Sequence, residues 1–231
     1  MVDSSAALLG LTVCKALLLL VLGVLASLYW MRSEQGVVPG RVLARATGAA
    51  LITLYLAGGI RFGLGVDEQW LLLLPVIWLG MLYAARRQVA ALFRDPQVTL
   101  AVKALLALWT VSFFALTWIH NYTGGVWSLD WLEHFQRSEF FRGRFPPDRQ
   151  FIGLYSLPSR PPMPSIVTSV FVALCSAGER FDFAAYQVTL LLIGSLFVVP
   201  WIQLATSGGQ KRLALLLAVL FANPMVMQNL T

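Results

Sequence analysis

Long apolar runs recur along this chain and restrict its fold more than any other feature of the sequence. Each has roughly 15 to 26 residues, and a helix needs about 20 apolar residues to span a bilayer. The runs cover residues 6–31, 42–60, 70–85, 102–120, 164–178, 183–204 and 213–230. This pattern predicts an all-α polytopic bundle of about seven transmembrane helices.

The composition agrees with an integral, multi-pass protein of a cell or inner membrane. Only 12% of the residues are charged and 58% are hydrophobic, whereas a soluble domain has about 25% charged residues. The net charge of +6 is spread over the connections without a dense basic run, which indicates membrane topology and not nucleic-acid binding. Cys14 and Cys175 each lie in an apolar run, where a small buried hydrophobe is the expected role.

Basic residues indicate the side of the membrane that each connection faces. Before residue 121 they concentrate after the first and third runs: Arg32, Arg41, Arg45, Arg86, Arg87, Arg94 and Lys103. Because positive residues favour the cytoplasm, the amino terminus and the loop 121–163 are predicted to be extracytoplasmic. The pair Lys211 and Arg212 conflicts with this orientation, since seven alternating spans place it outside as well.

The loop 121–163 divides the chain into three parts and carries the chemistry. It separates four transmembrane helices in residues 1–120 from three in residues 164–231, and its many aromatic residues argue against disorder. Within it, "SLDWLEHFQR" predicts an interfacial amphipathic helix with Ser128 as its N-cap. Asp130, Glu133 and His134 then share one face.

Two interpretations of this cluster remain open from the residues alone. Paired ionisable groups can bind a metal ion or shift one another's pKa, but most such clusters are the solvated face of a surface helix. The second motif, "SLPSRPPMPSI", is equally ambiguous. Arg160 either extends to the lipid headgroups beside a rigid proline entry to the next helix or pairs with a phosphate at the membrane surface.

In their order, these motifs resemble the GT-C superfamily of membrane glycosyltransferases, and especially its protein O-mannosyltransferase and aminoarabinose transferase branch. The resemblance covers about residues 127–231. It includes the acidic motif "SLDWLEHF", the entry "SRPPMP", and then a polar stretch, an apolar run, the basic turn "SGGQKR" and an apolar run ending near "NP".

The resemblance implies a fold, a donor and a set of roles. The donor would be a polyprenyl-phosphate-linked sugar in the membrane lipid, and the acceptor an extracytoplasmic group of unknown identity. Asp130 would be the general base, while Arg160, Lys211 and Arg212 would stabilise the leaving phosphate. The resemblance names no cofactor; it allows a divalent metal ion near Asp130 without requiring one.

The chain departs from this family in three ways. Trp131 occupies the place where many relatives have a second acid, so Glu133 or His134 would have to supply an acid, a metal ligand or an acceptor contact. Four runs precede the loop where relatives usually have one. Relatives commonly have twice this length, so the chain resembles the N-terminal part of such an enzyme. A non-catalytic accessory subunit or structural membrane protein is the alternative.

Overall fold

The structure, a computed structural model, describes residues 2–32, 39–118, 128–146, 148, 150–151, 162–196 and 198–200. Within these residues every secondary-structure element longer than one residue is a helix, so the prediction of an all-α fold is confirmed. The helices are α1 (Val2–Ser27), α2 (Pro39–Leu64), α3 (Leu73–Leu92), α4 (Pro96–Trp118), α5 (Ser128–Phe141), α6 (Met163–Cys175) and α7 (Asp182–Ser195). Short 3-10 turns lie at Leu28–Met31, Glu68–Leu72 and Glu179–Phe181.

Five helical segments of the described chain are long and apolar enough to cross a membrane. They are Ala6–Met31, Pro39–Leu64, Glu68–Leu92, Pro96–Phe114 and Glu179–Pro200. They correspond to the first four predicted runs and the sixth. The chain is therefore an integral membrane protein by the length and composition of its helices, whereas the predicted total of seven spans is not confirmed. The seventh run lies outside the described residues.

The fifth predicted run folds as α6, which is a short helix. Its 13 residues extend for only about 20 Å at 1.5 Å per residue, less than the roughly 30 Å of a bilayer's hydrocarbon core. Nine of its residues are buried, on several faces: Ser165, Ile166, Val167, Thr168, Ser169, Val170, Phe171, Val172 and Cys175. The helix is thus enclosed by protein, which explains why its sequence is apolar throughout.

Local sequence signals account for several of the helix ends. Asp95 caps α4, because its Oδ1 accepts hydrogen bonds from the backbone N–H groups of Gln97 at 2.9 Å and Val98 at 3.1 Å. Glycines in left-handed conformation end α2 and α5: Gly65 has φ +63° and Gly143 has φ +78°. Both ends have the paired backbone hydrogen bonds of a Schellman motif.

The chain divides into two compact units. The first contains residues 1–19, 51–76 and 120–189, and the second contains residues 20–50, 77–119 and 190–231. The first unit has an aromatic core in which Phe140, Phe141, Phe151 and Ile166 pack together, with Phe62 against them. In this unit α6 lies close to α2: a Cβ on Gly58 would lie 2.8 Å from side-chain atoms of Ile166 and Val170 and 3.1 Å from the Ile166 carbonyl oxygen.

In the second unit, large aromatic side chains pack against small residues of neighbouring helices. Trp78 is 1% exposed and packs onto Gly23, where a Cβ would lie 2.6 Å from its ring. The indole Nε1 of Trp109 donates a hydrogen bond of 2.5 Å to the Ser195 hydroxyl, which satisfies a buried polar group inside an apolar bundle. Such pairs allow close packing where helices gain little from the hydrophobic effect.

Candidate functional site

The helix predicted for the acidic motif is present as α5, but its surroundings differ from the prediction. It begins at Ser128, as expected. Its polar residues were expected on a surface, and instead Glu133 is 1% exposed and Arg137 is 4% exposed. The Glu133 Oε1 lies 3.1 Å from the Arg137 Nε one turn later. The interpretation of this stripe as a solvated face of a surface helix is therefore wrong for these two residues.

The other predicted site residues are placed unequally by the structure. The backbone of Asp130 lies in the first turn of α5, and its side chain lies outside the described part. His134 is partly buried on the same helix, and its backbone carbonyl accepts a hydrogen bond from Ser138 at 3.1 Å. Arg160, Lys211 and Arg212 lie outside the described residues. Among those described, no group of three His, Cys, Asp or Glu side chains is arranged to hold a metal ion.

A buried network of charged side chains lies at the other end of α5. Arg142 is its centre: its Nη1 donates to Glu139 and to Asp182, both at 2.7 Å. Its Nε and Nη2 donate to the two carboxylate oxygens of Glu68 at 3.1 and 3.2 Å. One guanidinium thus joins α5, the start of α7 and the connection between α2 and α3.

Two further arginines complete this arrangement, and we call the set of six the Arg142 network: Arg61, Glu68, Glu139, Arg142, Arg144 and Asp182. Arg61 donates from Nη1 to the backbone carbonyl of Arg142 at 3.1 Å. Arg144 lies 3.6 Å from Glu68 and 2.9 Å from Glu179. The Gly143 turn brings these groups together, because a Cβ at that position would lie 3.4 Å from the Arg61 Nη2.

Burial and pairing act in opposite directions on the ionisation of this network. Burial raises the pKa of Glu139 above its usual value, and the hydrogen bond and charge of Arg142 only partly offset the effect. Burial also acts to lower the pKa of Arg142, but its hydrogen bonds to Asp182 and Glu139 outweigh that effect and raise it. Arg142 is therefore a permanent cation, and Glu139 is the carboxyl whose charge burial disfavours.

The network borders a cavity of about 860 Å³ in the first unit. Arg61, Glu68, Arg142 and Arg144 supply charged groups to its wall, and Phe62, Leu72, Ala173 and Leu174 supply apolar ones. Three buried guanidinium nitrogens of this unit, Nε of Arg61 and both Nε and Nη2 of Arg137, make no hydrogen bond to the described residues. The unit thus combines apolar surface with buried donors for a negatively charged group.

Sequence reasoning missed the Arg142 network because its members come from distant parts of the chain. Glu68 and Arg142 are 74 positions apart, and Asp182 is a further 40 away. One signal was present: Glu68 and Asp182 each lie just before an apolar run, where an unpaired charge is costly. The sequence does not show which charge pairs with which.

The fold and the site define a polytopic helical membrane protein with a buried ionic network and an amphipathic cavity in its first unit. Comparisons with protein-family models, with curated protein sequences and with solved structures found no match for this chain. The functional argument therefore depends on the sequence motifs and on the geometry of the described residues.

Proposed function

We propose that this chain is a membrane glycosyltransferase, or the N-terminal part of one. In this proposal it transfers a sugar from a polyprenyl-phosphate-linked donor to an extracytoplasmic acceptor. The reaction inverts the anomeric carbon, and the lipid phosphate leaves as the acceptor attacks. The sequence resemblance suggests this chemistry, and the cavity of the first unit is the structural observation that supports it best.

The cavity suits a phosphate attached to a hydrocarbon chain. Its wall contains three guanidinium groups, two carboxylates and several apolar side chains. In this proposal the phosphate binds the arginines and the first isoprenoid carbons contact Phe62 and Leu72. Arg61 is well placed for this role, because it lines the cavity, is 7% exposed and has an unused donor among the described residues. Arg144 is 43% exposed in its side chain and is a second candidate.

Asp130 remains the proposed general base, since a carboxylate within hydrogen-bond reach of the acceptor can take its proton. Its neighbours on α5 have different roles. Glu133 is engaged by Arg137 inside the protein, so we assign it to positioning the helix rather than to supplying an acid or a metal ligand. His134 keeps its proposed role as an acceptor contact. A divalent cation near Asp130 is not required by this mechanism.

The geometry also suggests a revised topology. Asp182, at the start of α7, is 2.7 Å from Arg142, at the end of α5, so α6 does not separate these points by the thickness of a membrane. We propose that α6 remains on the extracytoplasmic side and that α7 is the next crossing. Lys211 and Arg212 then follow on the cytoplasmic side, where basic residues are favoured, and the phosphate role passes to Arg61, Arg144 and Arg160.

Labelling of introduced cysteines tests this topology. In a Cys14→Ser, Cys175→Ser background, Arg144→Cys and Lys211→Cys should react with a membrane-impermeant maleimide from opposite sides of sealed vesicles. Reaction of both from the same side would restore a crossing by α6 and with it the original assignment of Lys211. Permeabilised vesicles, in which both cysteines should react, provide the control.

An accessory role is the second candidate, and the pairing of charges favours it. Glu68, Glu139 and Asp182 all have a guanidinium partner within 3.2 Å, as expected of a network that only holds helices together. On this interpretation the cavity receives a segment of another membrane protein and the chain itself transfers nothing.

Sugar transfer from radiolabelled polyprenyl-phosphate donors distinguishes the two functions. Membranes with the parent chain should transfer label, and Asp130→Asn should reduce transfer by at least about 100-fold, the usual lower range for loss of a general base. Asp148→Asn, a matched change at an exposed residue in the same loop, should leave it unchanged. Absence of transfer from folded parent protein, or equal transfer by both variants, would contradict the assignment of Asp130.

A further inference from the structure

The second unit has a basic surface formed by residues that the proposed function does not use. We call its five exposed arginines the basic rim: Arg32, Arg41, Arg86, Arg87 and Arg94. Arg32 and Arg94 lie in the connections that follow α1 and α3, Arg41 lies in the first turn of α2, and Arg86 and Arg87 lie in the last two turns of α3. Asp95 is the only acidic residue among the described residues of this unit, and it caps α4.

Direct contacts fix the position of this rim. The Arg32 guanidinium donates to the backbone carbonyl of Ala84 in α3, which joins the segment that follows α1 to the second half of α3. Arg32 also lies over the ring of Tyr29, with its Cζ 4.2 Å from the ring centroid. Arg86 lies over Tyr83 in the same way at 4.4 Å. Tyrosine beside arginine is typical of the level of lipid headgroups.

An apolar cavity of about 150 Å³ opens beside the basic rim. Its wall includes Leu43, Phe93 and Val102. Phe93 is adjacent in sequence to Arg94, which places this part of the wall beside the basic rim. The wall is almost entirely hydrocarbon and comes from α1, α2, α4 and the residues that directly follow α3 and α7.

From this combination we propose that the second unit binds one anionic phospholipid, with its phosphate on the basic rim and part of an acyl chain in the apolar cavity. Charge complementarity selects this occupant: among the described residues of this unit, the five exposed guanidinium groups are accompanied by one carboxylate, that of Asp95, so a zwitterionic lipid leaves them uncompensated. Basic pockets between transmembrane helices commonly bind anionic headgroups on the cytoplasmic side, which is the side that the distribution of basic residues predicts for these connections.

Thermal unfolding of the full chain in neutral detergent tests the proposal. Phosphatidylglycerol should raise the unfolding temperature by an amount that grows with the logarithm of its concentration above Kd, because it binds the folded state. Phosphatidylcholine with the same acyl chains should have no such effect. Inorganic phosphate alone should also have none, since it lacks the chain that fills the cavity.

Variants then identify the site. Each arginine near an anionic lipid surface contributes about a fivefold increase in affinity, so Arg94→Gln should weaken phosphatidylglycerol binding about fivefold and Arg86→Gln with Arg94→Gln roughly 30-fold. Arg180→Gln is the matched control, an exposed arginine in the first unit, and should change nothing. Val102→Phe should weaken binding by narrowing the cavity while leaving the rim intact.

Three outcomes would overturn the proposal. Equal stabilisation by phosphatidylglycerol and phosphatidylcholine would show that the negative charge of the headgroup does not contribute to binding. An unchanged lipid preference in the Arg86→Gln, Arg94→Gln variant would place the lipid elsewhere. Stabilisation by inorganic phosphate to the same extent as by phosphatidylglycerol would show that an acyl chain in the cavity does not contribute to binding.

Discussion

Replacement of Arg142 by methionine should destabilise the first unit more than any other single change in the network. The substitution keeps a long apolar side chain and deletes the guanidinium that serves three carboxylates. The side chains of Glu139 and Asp182 are 11% and 9% exposed. Water therefore replaces few of the hydrogen bonds that these carboxylates lose with the guanidinium. The Glu68 side chain is 25% exposed, so water can hydrate its carboxylate in part after the guanidinium is removed.

The size of the effect follows from the buried carboxylates that lose their partner. Breaking one buried ion pair costs about 3–5 kcal/mol, and Arg142 pairs with two buried carboxylates, so we expect a loss of at least about 3–5 kcal/mol at pH 7. Burial raises the pKa of Glu139, and the substitution removes the Arg142 interactions that oppose this effect. Protonation of Glu139 therefore relieves part of the cost on acidification, and the loss should be smaller at pH 5 than at pH 7.

The buried thiol of Cys175 provides the assay. It is 1% exposed in α6, so in a Cys14→Ser background its reaction with a thiol reagent reports opening of the first unit. Arg144→Met is the control, because an exposed ion pair contributes about 0–1 kcal/mol. If Arg142→Met is as stable as Arg144→Met, or if its loss of stability is the same at pH 5 and pH 7, the carboxylates do not depend on Arg142 as the structure indicates.

Two further predictions concern packing and ionisation. Gly58→Ala should destabilise the first unit by about 1–3 kcal/mol, because its Cβ meets Ile166 at 2.8 Å; Gly63→Ala, which has open space, should stay within about 1 kcal/mol of the parent in the same thiol assay. The raised pKa of Glu139 means that its contribution to stability is full below its unfolded-state pKa and is lost as pH rises through the folded-state pKa. The stability of Glu139→Gln relative to the parent should therefore fall on acidification from pH 7 to pH 5, and a constant difference would contradict the shift.

The sequence predicted those elements of the fold that depend on one segment at a time. Apolar runs of sufficient length identified the membrane-crossing helices, and Ser128 marked the start of α5 correctly. Helix periodicity placed Glu133 and Arg137 on one face but could not show that this face is buried, because burial depends on what packs against it. The same limit hid the Arg142 network, whose partners are brought together only by the folded chain.

The fifth apolar run shows why hydropathy alone does not determine the number of spans. An apolar helix is equally compatible with lipid on all sides and with protein on all sides, and α6 is of the second kind. Its buried hydroxyls distinguish it: Thr168 donates to the Pro164 carbonyl at 2.8 Å and pairs with Ser138 of α5 at 2.6 Å. The serines and threonines of this run and its short length are therefore the sequence features that favour an enclosed helix. The proposed topology depends on the same features: a short α6 is compatible with the ionic contact between Arg142 and Asp182, and that contact is the reason for proposing a cytoplasmic position for Lys211.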